Sequence, residues 1–330
     1  MPSLSSTKFY HPTTLAQIKM KHFLQENDFS PEEIKEVFTQ AFDYKANRKQ
    51  RPTNDLSGQT WGMLFHKKST RTRVSFEVGI NELGGSSLTL DQASTQIGRG
   101  ESIADTMQVL SRFLDGLIIR THGHELIEEF ASYSTIPVVN ALTDFLHPCQ
   151  IFADCMTILE TSCRSQNPFT ELQGKKVTFF GDTQCNMANS WILAGSLFGL
   201  QVCLSGPQEF APSEEIKAYL AKHNLESTWE HQPDREIAAQ GSDYLYTDVW
   251  VSMGCEEEEK QRKQIMAPYQ VNEELLSLAK PEALFMHCMP THPGEEVAEA
   301  VLSSPQSIIF DQAENRLHMQ KAILQQLNQH

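Results

Sequence analysis

Short apolar runs recur along nearly the whole chain, separated by longer amphipathic stretches. No other feature narrows the possible folds as much. In the first half the runs are WGMLF (61–65), SLTL (87–90), GLIIRT (116–121) and IPVVNA (136–141), with helical spacing over 72–83, 102–114 and 124–134. The second half offers KVTFFGD (176–182), QVCLSG (201–206), STWEH (227–231), YLYTDVW (244–250), LFMHCM (284–289) and SIIF (307–310). Helices are expected there over 187–198, 213–223, 257–265, 272–279, 295–303 and 313–327. Strands alternating with helices predict an α/β fold, with parallel sheets flanked by helices on both faces. At 330 residues the chain has room for two such domains. The polar segment 161–175 is the expected boundary, preceded by a joining helix over about 148–160. The division reads as 1–150 and 151–312, with the terminal helix, 313–330, folding back on the first domain.

Charge then limits the function. Acidic residues exceed basic ones by 42 to 27, which argues against a nucleic-acid partner, because a phosphate polymer would be repelled. Seven cysteines without CxxC spacing suggest neither a disulfide framework nor a zinc ribbon. No run approaches a membrane span and the first residues lack a signal-peptide core, so a cytoplasmic protein is expected.

Against this acidic background, residues 67–73 read KKSTRTR. Two lysines, two arginines and three hydroxyls stand between the first strand and the first long helix. The free N–H groups of a helix start, supplemented by hydroxyls and guanidinium, make a cradle for a small anion such as phosphate. A Ser/Thr cap with solvated arginines is the plainer alternative. Other strand ends in the same half add donors. They are Arg120 in IIRTHG, His147 and Gln150 in DFLHPCQ, and Gln96 and Arg99 in STQIGRGES. In open parallel sheets, ligands bind beyond the carboxyl ends of strands. In the second half the corresponding clusters are GDTQCNMANS, TDVWVSMG and FMHCMP. The first lacks G-x-G-x-x-G, so a dinucleotide site is not indicated. A metal at His287, Cys288 and His292 lacks a supporting ligand pair, and neither metal nor cofactor is expected.

STRTR, HPCQ and HCMP, in this order and spacing, resemble the aspartate and ornithine carbamoyltransferase family, across nearly the whole chain. The resemblance implies carbamoyl transfer from carbamoyl phosphate to an amine. Ser69, Thr70, Arg71 and Thr72 would then bind the phosphate. Arg120, His147 and Gln150 would hold the carbamoyl group, with Cys288, Met289 and Arg316 beside it. Gln96 would reach a neighbouring subunit's site, implying a homotrimer. DVWVSMG resembles the ornithine branch, which implies Asn186, Asp248, Ser252 and Met253 as L-ornithine ligands and Cys288 near the reacting δ-amine. The expected products are L-citrulline and phosphate. A related enzyme using putrescine, or a ligand-binding paralogue without activity, are the competing readings. This chain departs from the usual ornithine-branch pattern at His66, Cys185, Met289 and Pro293.

Overall fold

The computed structural model describes residues 20–91, 100–162, 165–226, 228–251 and 259–329. Gln96, Ser252 and Met253 lie outside the described residues. In the first half, helix α1 (Pro31–Ala46) precedes strand β1 (Thr60–Phe65). Then follow α2 (Thr70–Glu82), β2 (Ser86–Asp91), α3 (Ile103–Leu110), β3 (Gly116–Arg120), α4 (His124–Tyr133) and β4 (Val138–Leu142). Helix α5 (Pro148–Ser162) and the single turn α6 (Pro168–Glu171) lead to the second half. There β5 (Lys176–Phe180), α7 (Asn186–Phe198), β6 (Gln201–Ser205), α8 (Glu214–His223) and β7 (Trp229–His231) come first. They are followed by α9 (Arg235–Ala239), β8 (Tyr244–Thr247), α10 (Glu259–Met266), α11 (Glu273–Ser277), β9 (Leu284–His287), α12 (Glu299–Leu302) and α13 (Ile309–Leu327).

All paired strands are parallel, in the orders β2-β1-β3-β4 and β7-β6-β5-β8-β9. The α/β expectation therefore holds. Each order reverses direction at one place, between β1 and β3 in the first sheet and between β5 and β8 in the second. Loops leave in opposite directions at such a point and open a crevice at the strand ends.

Two helices fasten the halves together. Every residue of α5 from Pro148 to Leu159 is buried, as befits a helix apolar on all sides. Helix α13 packs against α1, α2 and α5, carrying residues from the end of the second half to the first. Phe152 of α5 lies against Phe23, Phe38 and Phe198, so one aromatic cluster spans both halves.

The structure departs from the expected elements in several places, the short unexpected helices α6 and α9 among them. Helix α1 was not expected, although Ser30 and Glu33 form a reciprocal capping box at its start. The run 307–310 is not a strand. Ser307 makes one bridge to Phe285, and the chain enters α13 at Ile309. Over 295–303 only Glu299–Leu302 is helical, because Gly294, at φ +87°, turns the chain immediately before.

Candidate active site

The crevice of the first sheet collects the expected donors. Phe65 pairs in register with Arg120, so the loop after β1 and the end of β3 lie side by side. Ser69 caps α2, accepting the Thr72 N–H at 3.3 Å. The capping alternative is thus realised, and the first-turn N–H groups point out of the same helix end. Lys67 bonds Asp144, tying this loop to the one that carries His147. His66 Nδ1 lies 2.8 Å from Thr121 Oγ1, and burial and the neighbouring His122 lower its pKa.

Arg316 arrives from α13. Its Nη2 donates to Thr72 Oγ1 at 2.8 Å across 244 residues of sequence. Arg120 and Arg316 are 7% and 4% exposed, and the Nε of each has no hydrogen-bond partner among the described residues. Burial, followed by repulsion from Arg316 and Arg71, brings the Arg120 pKa down to about 10. Burial also lowers Arg316. Burying cations without full compensation is costly. Their arrangement supplies what an anion needs before the anion arrives.

His147 sits at the start of α5, with its backbone N–H donating to Ser190 Oγ at 2.8 Å. Its ring is buried and its Nδ1 has no hydrogen-bond partner among the described residues. Burial first, then the positive field of Arg316 and Arg120, holds it well below the usual histidine range, so at neutral pH it is a neutral imidazole. Gln150, one turn further on, donates from Nε2 to Asp154 Oδ1 at 2.8 Å.

Asp154 is a residue that the sequence reading missed. Its carboxyl also accepts from Gln312 Nε2 at 2.8 Å and Tyr246 hydroxyl at 2.9 Å, joining α5, α13 and β8. Burial outweighs these hydrogen bonds and raises its pKa to about 7. Asp154→Ala should leave the Gln150 and Tyr246 donors without an acceptor and Gln312 with only the Tyr246 hydroxyl, at 3.3 Å, costing about 3 kcal/mol of stability. Urea unfolding measures this, and a cost below about 1 kcal/mol would show that the network is dispensable.

The second sheet's crevice faces the first. Gly181, at φ +117°, turns the chain out of β5. Asp182 follows, paired with Arg262 of α10 at 2.8 Å. Asn186 begins α7, but its Nδ2 donates to Thr143 O of the first half at 2.7 Å, leaving Oδ1 for a ligand. Asp248 follows β8 and accepts from Val249 N–H at 2.8 Å and Cys288 Sγ at 3.0 Å. Burial, then the Asp248 charge, pushes Cys288 well above the usual thiol range, so it is a protonated donor.

Met289 has φ 60°, a left-handed backbone that a non-glycine residue adopts only under constraint. Its N–H donates to His287 Nδ1 at 2.8 Å. With Nδ1 accepting, the ring proton resides on Nε2, which donates to Glu296 Oε1 at 3.2 Å. Burial alone would raise Glu296, but hydrogen bonds from His287 and the His292 N–H keep it low. Glu296 is a second residue that sequence reasoning missed.

Donors for an anion on one sheet thus face a carboxylate and a thiol on the other, as in an enzyme that passes a group from an anionic donor to a cationic acceptor. Comparison with known proteins agrees. Residues 21–160 match the family description "Aspartate/ornithine carbamoyltransferase, carbamoyl-P binding domain", and residues 173–327 match the corresponding "Asp/Orn binding domain". The ornithine carbamoyltransferase of Halalkalibacterium halodurans is 46% identical over 93% of this chain and 95% of that protein. That of Thermococcus kodakarensis is 44% identical over 90% and 93%. The solved ornithine carbamoyltransferase of Pyrococcus furiosus superimposes with a TM-score of 0.84 at 42% identity, covering 94% of this chain and 97% of that one. The chain belongs to the aspartate/ornithine carbamoyltransferase family.

Proposed function

We propose that this chain transfers the carbamoyl group of carbamoyl phosphate to the δ-amine of L-ornithine, giving L-citrulline and phosphate. The convergence of Arg71, Arg120 and Arg316 on one crevice carries this reading, because Arg316 and Arg71 repel Arg120 and Arg71 repels Arg316, a positive field that a bound anion would relieve. Similarity to the named ornithine carbamoyltransferases supports ornithine as the acceptor.

The roles follow from position. Residues 1–150 with 313–330 bind the donor, and 151–312 bind the acceptor. The start of α2, with Ser69, Thr70, Arg71 and Thr72, takes the phosphate. Arg120, His147 and Arg316 donate to the carbonyl oxygen as it gains negative charge, and Gln150 and the Met289 carbonyl hold the carbamoyl amide. The δ-nitrogen forms a bond to carbon while the carbon–oxygen bond to phosphate breaks. The amine proton is lost, and the phosphate leaves against Arg71. Asp248, with Asn186, Ser252 and Met253, binds the α-amino and carboxylate ends of ornithine. The Cys288 thiol, fixed on Asp248, lies beside the δ-amine.

Gln96 is assigned to the site of a neighbouring subunit, so the working form is a homotrimer, and the location is the cytoplasm. Among the described residues no helix is long and apolar enough to cross a membrane.

Steady-state citrulline formation with both substrates varied tests the function. Ornithine should turn over faster than putrescine, and the reverse order would reassign the acceptor. No citrulline at saturation would favour a ligand-binding paralogue. Cys288→Ala removes a donor held on Asp248 beside the δ-amine, so the ornithine kcat/KM should fall about 10- to 100-fold, more than carbamoyl-phosphate affinity does. Equal loss of both would contradict the assignment.

A further inference from the structure

His292 belongs to a different group from the one its sequence neighbours suggested. His287 and Cys288 gather with Asp248 in the crevice, whereas His292 gathers with Glu295 and Glu296, whose ligating atoms all lie within 4.8 Å of one another. The two groups are joined through Glu296. Its Oε1 accepts from His287 Nε2 at 3.2 Å and from His292 N–H at 2.5 Å. Its Oε2 turns the other way, to 3.7 Å from His292 Nδ1.

We propose that His292, Glu295 and Glu296 bind a divalent first-row transition ion at a site separate from the transfer crevice. An acidic cluster would not by itself establish this. The second observation is Glu296, whose side chain is 0% exposed and whose Oε2 has no hydrogen-bond partner among the described residues. Both hydrogen bonds fall on Oε1, leaving Oε2 a buried carboxylate oxygen that faces an imidazole. Local charge is also unbalanced. Lys263 lies 2.7 Å from both Glu259 and Glu295, so two carboxylates share one ammonium.

The donor set identifies the class of ion. One imidazole and two carboxylates suit zinc, cobalt or manganese, whereas magnesium and calcium favour oxygen ligands alone. His292 and Glu295 have side chains 52% and 33% exposed, so the ion has a path from solvent and room for water ligands. The chain of bonds from Glu296 through His287 to the Met289 N–H places the ion directly behind the carbamoyl-binding loop, in the position of an outer carboxylate–histidine pair.

Cobalt(II) titration of the full-length protein, followed by calorimetry and absorption, tests the site. A Cys288→Ser protein is titrated in parallel to silence the crevice thiol. Both proteins should bind one ion that needs no sulfur ligand. His292→Ala should weaken that binding at least about tenfold, and Glu295→Gln should weaken it in the same direction. Both substitutions are at the surface and spare the core. Absence of binding in the Cys288→Ser protein would overturn the proposal. Binding indifferent to His292→Ala and Glu295→Gln would also overturn it.

Discussion

Arg120→Met should lower kcat for citrulline formation about 100- to 1000-fold, the loss associated with one preorganised donor to a developing oxyanion. The same substitution should raise the unfolding free energy of the ligand-free protein by on the order of 1 kcal/mol, because it replaces a buried charge by an apolar chain of similar length. These opposite signs follow from one cause. Arg120 is 7% exposed, its Nε is unpaired among the described residues, and burial and the nearby guanidiniums depress its pKa. A residue kept for packing would lose stability when replaced, and a residue kept for a missing anion should not. Paired activity and urea-unfolding measurements separate the two. A clear drop in stability would mean that the protein itself already compensates Arg120.

Arg71→Ala should raise the carbamoyl-phosphate Kd about 10- to 100-fold, the loss of a charge-assisted contact to phosphate. Arg71 stands one residue into α2 and is only half-buried, so its removal should leave folding nearly intact. It should also lift some of the repulsion on Arg120 and Arg316. Binding calorimetry with carbamoyl phosphate reads the effect directly. Unchanged affinity would remove the anion cradle from the start of α2.

The donor crevice was legible in the sequence because its chemistry is local. A strand end, a turn rich in hydroxyls and cations, and a helix start occupy consecutive residues, so motif and geometry coincide at 65–73. Arg120 and His147 were legible for the same reason, each lying at an element boundary. Arg316 was different. Only the family resemblance assigned it, since the expected return of the terminal helix to the first domain does not say that it reaches Thr72, 244 residues away.

Asp154 was harder still. Its partner Gln312 is 158 residues away, and only tertiary packing brings them together. The one local signal was the four-residue helical spacing from Gln150 to Asp154. Helix α1, by contrast, was readable and overlooked. Ile34, Val37, Phe38, Ala41 and Tyr44 repeat at helical spacing behind a capping box. The run 307–310 misled because isoleucines favour strands, yet the packing of α13 claims Ile309 for a helix. Glu296 gave no signal, since its buried oxygen becomes evident only when the turn at Gly294 brings it under His287 and His292.

A crystal structure of the protein with bound carbamoyl phosphate is the most direct test of the whole account. The phosphate should rest on the first turn of α2 against Arg71, with the carbonyl oxygen within hydrogen-bonding distance of Arg120, His147 and Arg316. A donor molecule bound elsewhere, with those three side chains still unpaired, would show that the buried positive charge serves some other purpose.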